Sequence, residues 1–231
     1  MQGRFPPVIT VGLIGIVLLG IVGAFAARSA GSPVAEAARP LTYVALGASD
    51  SVGVGARVPD RESWVAVLHA KLPAGSRLAN LGVSGSLLRG AIEQQLPVAL
   101  DADPDVVTVW LAVNDLNARV PLDRYAADLD LLLGTLRERT RATILVGNVP
   151  DLSTLPAARR MNLEPIPRWN AAIDEVVARH GAELVDLRDA WREVADHPEY
   201  ISSDGFHPST VGYERLADRY YAVVARHLGE R

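Results

Sequence analysis

Five short runs of β-branched and apolar residues alternate with longer stretches of helical period from Leu41 onward, and this alternation restricts the fold more than any other feature. The runs are LTYVAL (41–46), RLANL (77–81), DVVTVWLAV (105–113), ATILVGN (142–148) and AELVDL (182–187). Helical spacing is clearest over 122–139, where Tyr125, Leu129, Leu132, Leu133 and Leu136 share one face. Further helices are predicted over 62–72, over 87–100 with a bend near Pro97, over 165–180, and over 209–228 with Ser209 as N-cap. Strands separated by helices pair in parallel, because each connection is long enough to cross back over the sheet. A parallel sheet has to be covered on both faces. The expected fold class is therefore α/β, a three-layer α/β/α sandwich on a five-stranded parallel sheet, with 105–113 as a central strand.

Residues 41–231 are long enough for one domain with its own core. Residues 1–40 read differently. VITVGLIGIVLLGIVGAFAA (8–27) runs without a charge for about the length that spans a bilayer as a helix. Ala24-Phe25-Ala26 and Ala35-Glu36-Ala37 each offer a small-x-small cleavage pattern. The expectation is a transmembrane anchor or a signal peptide followed by a linker over 28–40. The folded domain would then face outside the cytoplasm, held at the membrane through 8–27, or be secreted.

Composition removes several chemistries. The chain has no cysteine, which excludes a thiol nucleophile, thiolate metal sites, disulfides and a lipidated cysteine. With 23 basic and 27 acidic side chains and no basic block, nucleic acid is not an expected partner. Gly53-Val54-Gly55 lacks the third glycine of a dinucleotide loop and reads as a turn. Asp50, Asp115, Asp204 and His207 do not make a convincing metal set without a second histidine at ligand spacing. No metal and no cofactor is expected. His180 and His227 fall near predicted helix ends, where solvation is the expectation.

Ligands of open parallel sheets bind beyond the carboxyl ends of the strands. Gly47-Ala48-Ser49-Asp50-Ser51 follows the first run, Gly82-Val83-Ser84-Gly85 the second, Asn114-Asp115 the third, and Asn148-Val149-Pro150-Asp151 the fourth. Past the fifth comes SSDGFHPS (202–209). Asp204 precedes His207 by three, whereas His69, His180, His197 and His227 have alanine or valine at that offset. A hydroxyl, backbone donors, an amide, a carboxylate and an imidazole thus gather on one rim, the parts needed for nucleophilic acyl transfer.

These blocks resemble the SGNH, or GDSL, hydrolases. GASDS stands where that family has Gly-Asp-Ser-Leu, with Ser49 in the nucleophile position. NLGVSG matches the second block and puts Gly85 in the oxyanion role; AVND matches the third and gives Asn114; DGFH matches the last and gives Asp204 and His207. The resemblance runs in order from about Tyr43 to Tyr213 and implies a flavodoxin-like fold and a serine esterase without a cofactor. Ala48 and Ala112 depart from the family's usual Asp and Gly.

The chemistry of these residues agrees with that assignment. A serine hydroxyl needs a base to take its proton, and an imidazole serves if a carboxylate holds its other nitrogen. Catalytic Ser49, Asp204 and His207 meet that need, and the Ser49 and Gly85 N–H groups with the Asn114 amide form the expected oxyanion hole. Ser84 in GVSGS just misses the Gly-x-Ser-x-Gly elbow and is the weaker nucleophile candidate. The expected substrate is a carboxylic ester of a small molecule, carbohydrate or lipid. NVPDLSTLPAARRMNLEPIPRWN (148–170) carries four prolines and three arginines, which suits a shallow pocket and short acyl groups. Leu152, Leu155 and Met161 offer a small apolar wall, which keeps open an acyl thioesterase or lysophospholipase acting on longer chains. Transfer to an acceptor other than water, and a non-catalytic membrane-tethered binding module, are the remaining alternatives.

Overall fold

The computed structural model describes residues 39–228; the apolar run 8–27 and all but the end of the 28–40 linker lie outside the described residues. Five strands form one sheet: β1 (Thr42–Gly47), β2 (Arg77–Asn80), β3 (Val106–Trp110), β4 (Thr143–Gly147) and β5 (Glu183–Val185). Their order is β2-β1-β3-β4-β5 and every neighbouring pair is parallel. Every residue of β1 and β3 is buried, as befits strands covered on both faces, while Arg77 and the edge strand β2 meet solvent.

Among the described residues ten α-helices complete the layers. On the way from β1 to β2 come α1 (Ser49–Val52), α2 (Pro59–Glu62) and α3 (Trp64–Lys71). Between β2 and β4 lie α4 (Leu88–Gln94), α5 (Leu96–Asp101), α6 (Val113–Asn117) and α7 (Leu122–Arg139). After β4 follow α8 (Ile166–Arg179), α9 (Leu187–Ala190) and α10 (Thr210–Leu228). Right-handed crossovers send the β1-to-β2 connection to one face and the later ones to the other. Accordingly α3 packs with α10, and α7 with α4 and α8. Trp64 stacks on Tyr220 at 4.2 Å between ring centroids, joining α3 to α10, and Tyr125 meets Trp169 at 4.5 Å, joining α7 to α8. Ser209 caps α10 as expected, its Oγ accepting from the Gly212 N–H at 3.3 Å.

The structure departs from the sequence expectation at several points, each with a local cause. The strand expected over 105–113 stops at Trp110, whose partner Gly47 is the last residue of β1. Beyond it the chain has lost its ladder on that side, and the Leu111 carbonyl accepts instead from Tyr125 Oη at 2.7 Å. The helix over 87–100 divides into α4 and α5 at Gln95, two residues before Pro97, with Gln95 itself in helical backbone. Its side chain reaches the end of β1, where its amide both accepts from the Gly47 N–H and donates to the Gly47 carbonyl, each at 3.0 Å. His180 and His227 are paired, not simply solvated: His180 Nε2 lies 2.9 Å from Asp130 and His227 Nε2 3.2 Å from Glu183. Leu152 and Leu155 are buried in the core, so of the expected apolar wall only Met161 remains at a surface cleft. Among the described residues no helix is long and apolar enough to cross a membrane.

Candidate active site

The strand order reverses between β1 and β3: the connection from β1 leaves to one side and that from β3 to the other. This opens a crevice at their carboxyl ends. Ser49 begins α1 directly after β1, and Asn114 sits in α6 just past β3. The two residues line one tight cleft with Ala48, Trp110, Ala112 and Phe206, about 10 Å³ in volume, room for about one water molecule.

His207 reaches Ser49 from the far end of the sequence on a tight turn. Ser202 N–H donates to the His207 carbonyl at 2.9 Å, Gly205 N–H to the Ser202 carbonyl at 3.0 Å, and Ile201 pairs with Pro208. Gly205 has φ of 73°, the left-handed region that a Cβ makes costly. The Gly53–Gly55 segment is a turn, as its sequence indicates, and it carries the His207 loop. Gly55 has φ of 98° and comes so close that a Cβ on it would lie 2.5 Å from the Pro208 carbonyl oxygen. Tyr213 Oη, in the first turns of α10, donates to the Val54 carbonyl at 2.6 Å.

Within that frame the side chains form a line. Asp204 Oδ2 is 2.6 Å from His207 Nδ1, and His207 Nε2 is 2.9 Å from Ser49 Oγ. Asp204 Oδ1 accepts from Ser202 Oγ and from the Phe206 and His207 N–H groups at 2.8–2.9 Å. Partial burial opposes the Asp204 charge, but the His207 ring and these three donors outweigh it and hold the carboxyl down at about 2. A carboxylate so held only accepts, so Nδ1 carries the ring proton and Nε2 presents its lone pair to Ser49. Ser84, by contrast, is exposed, and the histidine engages Ser49.

The loop after β2 is fixed from three sides. Asn80 donates to the Ser51 carbonyl at 2.7 Å, Asn114 Nδ2 donates to the Ser86 carbonyl at 3.0 Å, and Gln95 Nε2 donates to Ser86 Oγ at 3.2 Å. Gly85 lies in this loop at φ of 79°, exposed, with open space where a Cβ would stand. Ser86, rather than Gly85, lines the cleft.

Two carboxylates next in sequence to Ser49 and Asn114 are perturbed by burial, and the sequence blocks do not single them out beyond the rejected metal set. Asp115 is buried and accepts from the Leu88 N–H at 3.0 Å, closing the first turn of α4; burial pushes its carboxyl up to about 6. Asp50 lines the cleft beside Ser49. Although part of its surface meets solvent, burial pushes it up to about 6, against the pull of His207. Its position next to Ser49 was the one signal available; only folding brings it to His207. Among the described residues no three His, Asp or Glu side chains converge on a metal-sized site. A concavity of about 940 Å³ lies at the opposite end of the sheet around Arg39, Arg77 and Arg141, away from this chemistry.

Known proteins bear the same fold and family marks. A curated acetylxylan esterase of Geobacillus stearothermophilus is 26% identical over 179 residues, 69% of this chain and 78% of that one. A lipase/acylhydrolase from Enterococcus faecalis superposes with a TM-score of 0.67 at 20% identity, covering 82% of this chain and 96% of that chain. A psychrotrophic esterase from Pseudoalteromonas sp. gives 0.67 at 19% identity, covering 81% and 98%. The profile of the GDSL-like lipase/acylhydrolase family matches residues 45–215, a span that runs from within β1 into the first turns of α10 and includes every group of the crevice. The chain is therefore an ester-hydrolysing enzyme that belongs to the GDSL-like lipase/acylhydrolase family.

Proposed function

We propose that the enzyme works through an acyl-serine intermediate, with Ser49 as nucleophile, His207 as general base and then acid, and Asp204 as its orienter. The observation that carries this reading is the line of hydrogen bonds from Asp204 through His207 to Ser49 Oγ, at 2.6 and 2.9 Å. His207 Nε2 takes the hydroxyl proton as Ser49 Oγ adds to the ester carbonyl. Collapse of the tetrahedral adduct breaks the bond to the alcohol, which leaves with that proton. Water then adds to the acyl-serine, gives a proton to His207, and the acid departs as Ser49 regains its hydrogen. The steps call for no cofactor.

The Ser49 and Gly85 N–H groups and the Asn114 amide are the oxyanion donors of this reading, with Ser49 and Asn114 at the cleft and Gly85 on the exposed loop that borders it through Ser86. Asn114 spends one amide hydrogen on the Ser86 carbonyl, which fixes the plane of the amide and leaves the second for the oxyanion.

A short acyl group, acetyl first, is supported by the size of the cleft beside Ser49, which the methyls of Ala48 and Ala112 narrow. The acetylxylan esterase relative agrees with it and favours a sugar alcohol. For the N-terminus, the uncharged run 8–27 supports an anchor or a signal peptide ahead of a hydrolase domain beginning near residue 41, facing outside the cytoplasm.

The test is hydrolysis by the full chain of p-nitrophenyl acetate, butyrate, octanoate and palmitate, with a fluorophosphonate probe to mark the nucleophile. Acetate should give the highest kcat/KM and the label should vanish in Ser49→Ala. A maximum at octanoate or beyond points instead to a thioesterase or lysophospholipase, and a label on Ser84 removes the nucleophile assignment. Full-length protein that stays with membranes through a carbonate wash identifies an anchor; a soluble form starting near Ala27 or Ala38 identifies a cleaved signal.

A further inference from the structure

A second cleft, about 410 Å³, shares helix α6 with the first and is lined by Leu116, Asn117, Arg119, Arg160, Met161 and Trp169, among others. The link between the two clefts is α6. Asn114 and Asn117 stand three apart on that helix and are therefore neighbours on its surface, with Cβ atoms about 5–6 Å apart. An ester whose carbonyl oxygen meets Asn114 thus has its reacting carbon about one helical turn from Asn117 and the second cleft. The cleft at Ser49 is filled by a group the size of a methyl, so the part of the substrate left for the larger cleft is the alcohol.

The charge of that larger cleft is one-sided. Arg119 and Arg160 are both exposed, and among the described residues neither has an acidic partner, unlike Arg179 on Asp130 or Arg226 on Glu183. No carboxylate lines the cleft. Arg119 also has φ of 58°, one of two non-glycine residues in the left-handed region among the described residues. Such a conformation is costly for a side chain and concentrates at ligand sites. Two guanidinium forks suit the planar oxygens of a carboxylate or the oxygens of a phosphate, Asn117 suits hydroxyls, and Met161 with Leu116 gives an apolar floor.

We propose that this cleft is the leaving-group subsite and that it takes an alcohol carrying a carboxylate or phosphate, an O-acetylated acidic saccharide above all. The proposal rests on the acyl-serine esterase reading. With the full-length enzyme at low salt, kcat/KM is measured on an O-acetylated uronic-acid oligosaccharide, an O-acetylated sugar phosphate and an O-acetylated neutral xylo-oligosaccharide. At least one acidic ester should exceed the neutral one by about tenfold, mainly in KM, and the advantage should shrink at high salt. Which acidic ester leads separates carboxylate from phosphate. Arg119→Gln and Arg160→Gln should each lower the acidic-to-neutral ratio about three- to tenfold, while lysine at either position should restore part of it. Equal or better use of the neutral ester, or a ratio that neither variant moves, overturns the subsite. Calorimetric binding of the deacetylated uronic-acid oligosaccharide to Ser49→Ala tests the subsite without turnover, and no binding there also overturns it. Failure of the wild type on p-nitrophenyl acetate counts against the esterase reading itself, which keeps the two failures apart.

Discussion

Replacing Asp204 by asparagine tests the line of hydrogen bonds at its most informative point. The asparagine carbonyl can keep the place of Oδ1, which accepts from Ser202 Oγ and the Phe206 and His207 N–H groups. The turn should therefore survive. Its NH₂ group then takes the place of Oδ2 and faces His207 Nδ1, which lies 2.6 Å from Oδ2 in the native arrangement. A donor there forces Nδ1 to accept, and the ring proton moves to Nε2, where it faces Ser49 Oγ and leaves no base for the hydroxyl. The expected cost is about 10⁴ in kcat, or about 5.5 kcal/mol of transition-state stabilisation, with KM changed only a few-fold. The assay is steady-state hydrolysis of p-nitrophenyl acetate, with nitrogen NMR of His207 to read the tautomer and circular dichroism to verify the fold. A folded Asp204→Asn enzyme within tenfold of the wild-type kcat would refute the argument that Asp204 sets the state of His207. The same substitution carries a pH signature. Asp204 titrates at about 2 in the fold, below its ordinary 3.8, so its stabilisation is present above about pH 4 and is lost as pH falls through about 2. The difference in Tm between wild type and variant should narrow over that window.

Asn114→Ala should lower kcat by about 10²–10³ with KM nearly unchanged, since the amide serves the oxyanion and not the ground state; a near-normal kcat reduces Asn114 to a brace for the Ser86 carbonyl. Asp115→Asn keeps an acceptor for the Leu88 N–H and removes a carboxylate whose titration burial has raised to about 6. A raised carboxyl favours the fold below about pH 4 and loses that advantage as pH rises through about 6, so the variant's relative Tm should climb over that interval. A difference in Tm that is flat with pH rules out buried ionisation at this position. Gly55→Ala puts a Cβ into the left-handed region and 2.5 Å from the Pro208 carbonyl oxygen. It should cost about 2 kcal/mol or more, several degrees in Tm, and lower kcat as the His207 loop shifts; an unchanged Tm and kcat means the loop is not docked there.

The sequence by itself determined the α/β class, the five strands and the order of the blocks along the chain, because period and turn chemistry are local properties. It also held the Asp204–Gly205–His207 turn whole, since the carboxylate and the imidazole lie within four residues and bond to each other across the glycine. What is decided between distant segments was not legible. The end of β3 at Trp110 follows from the departure of β1, and the hydrogen bonds of Gln95 to the Gly47 backbone join segments 48 residues apart. The burial that raises Asp50 and Asp115 comes from elements far away in the chain, as does the pairing of His180 with Asp130. The same holds for function. Ser49 and His207, 158 positions apart, meet only because the strand order reverses between β1 and β3 and Gly55 lets the last loop approach; tertiary structure alone sets that distance.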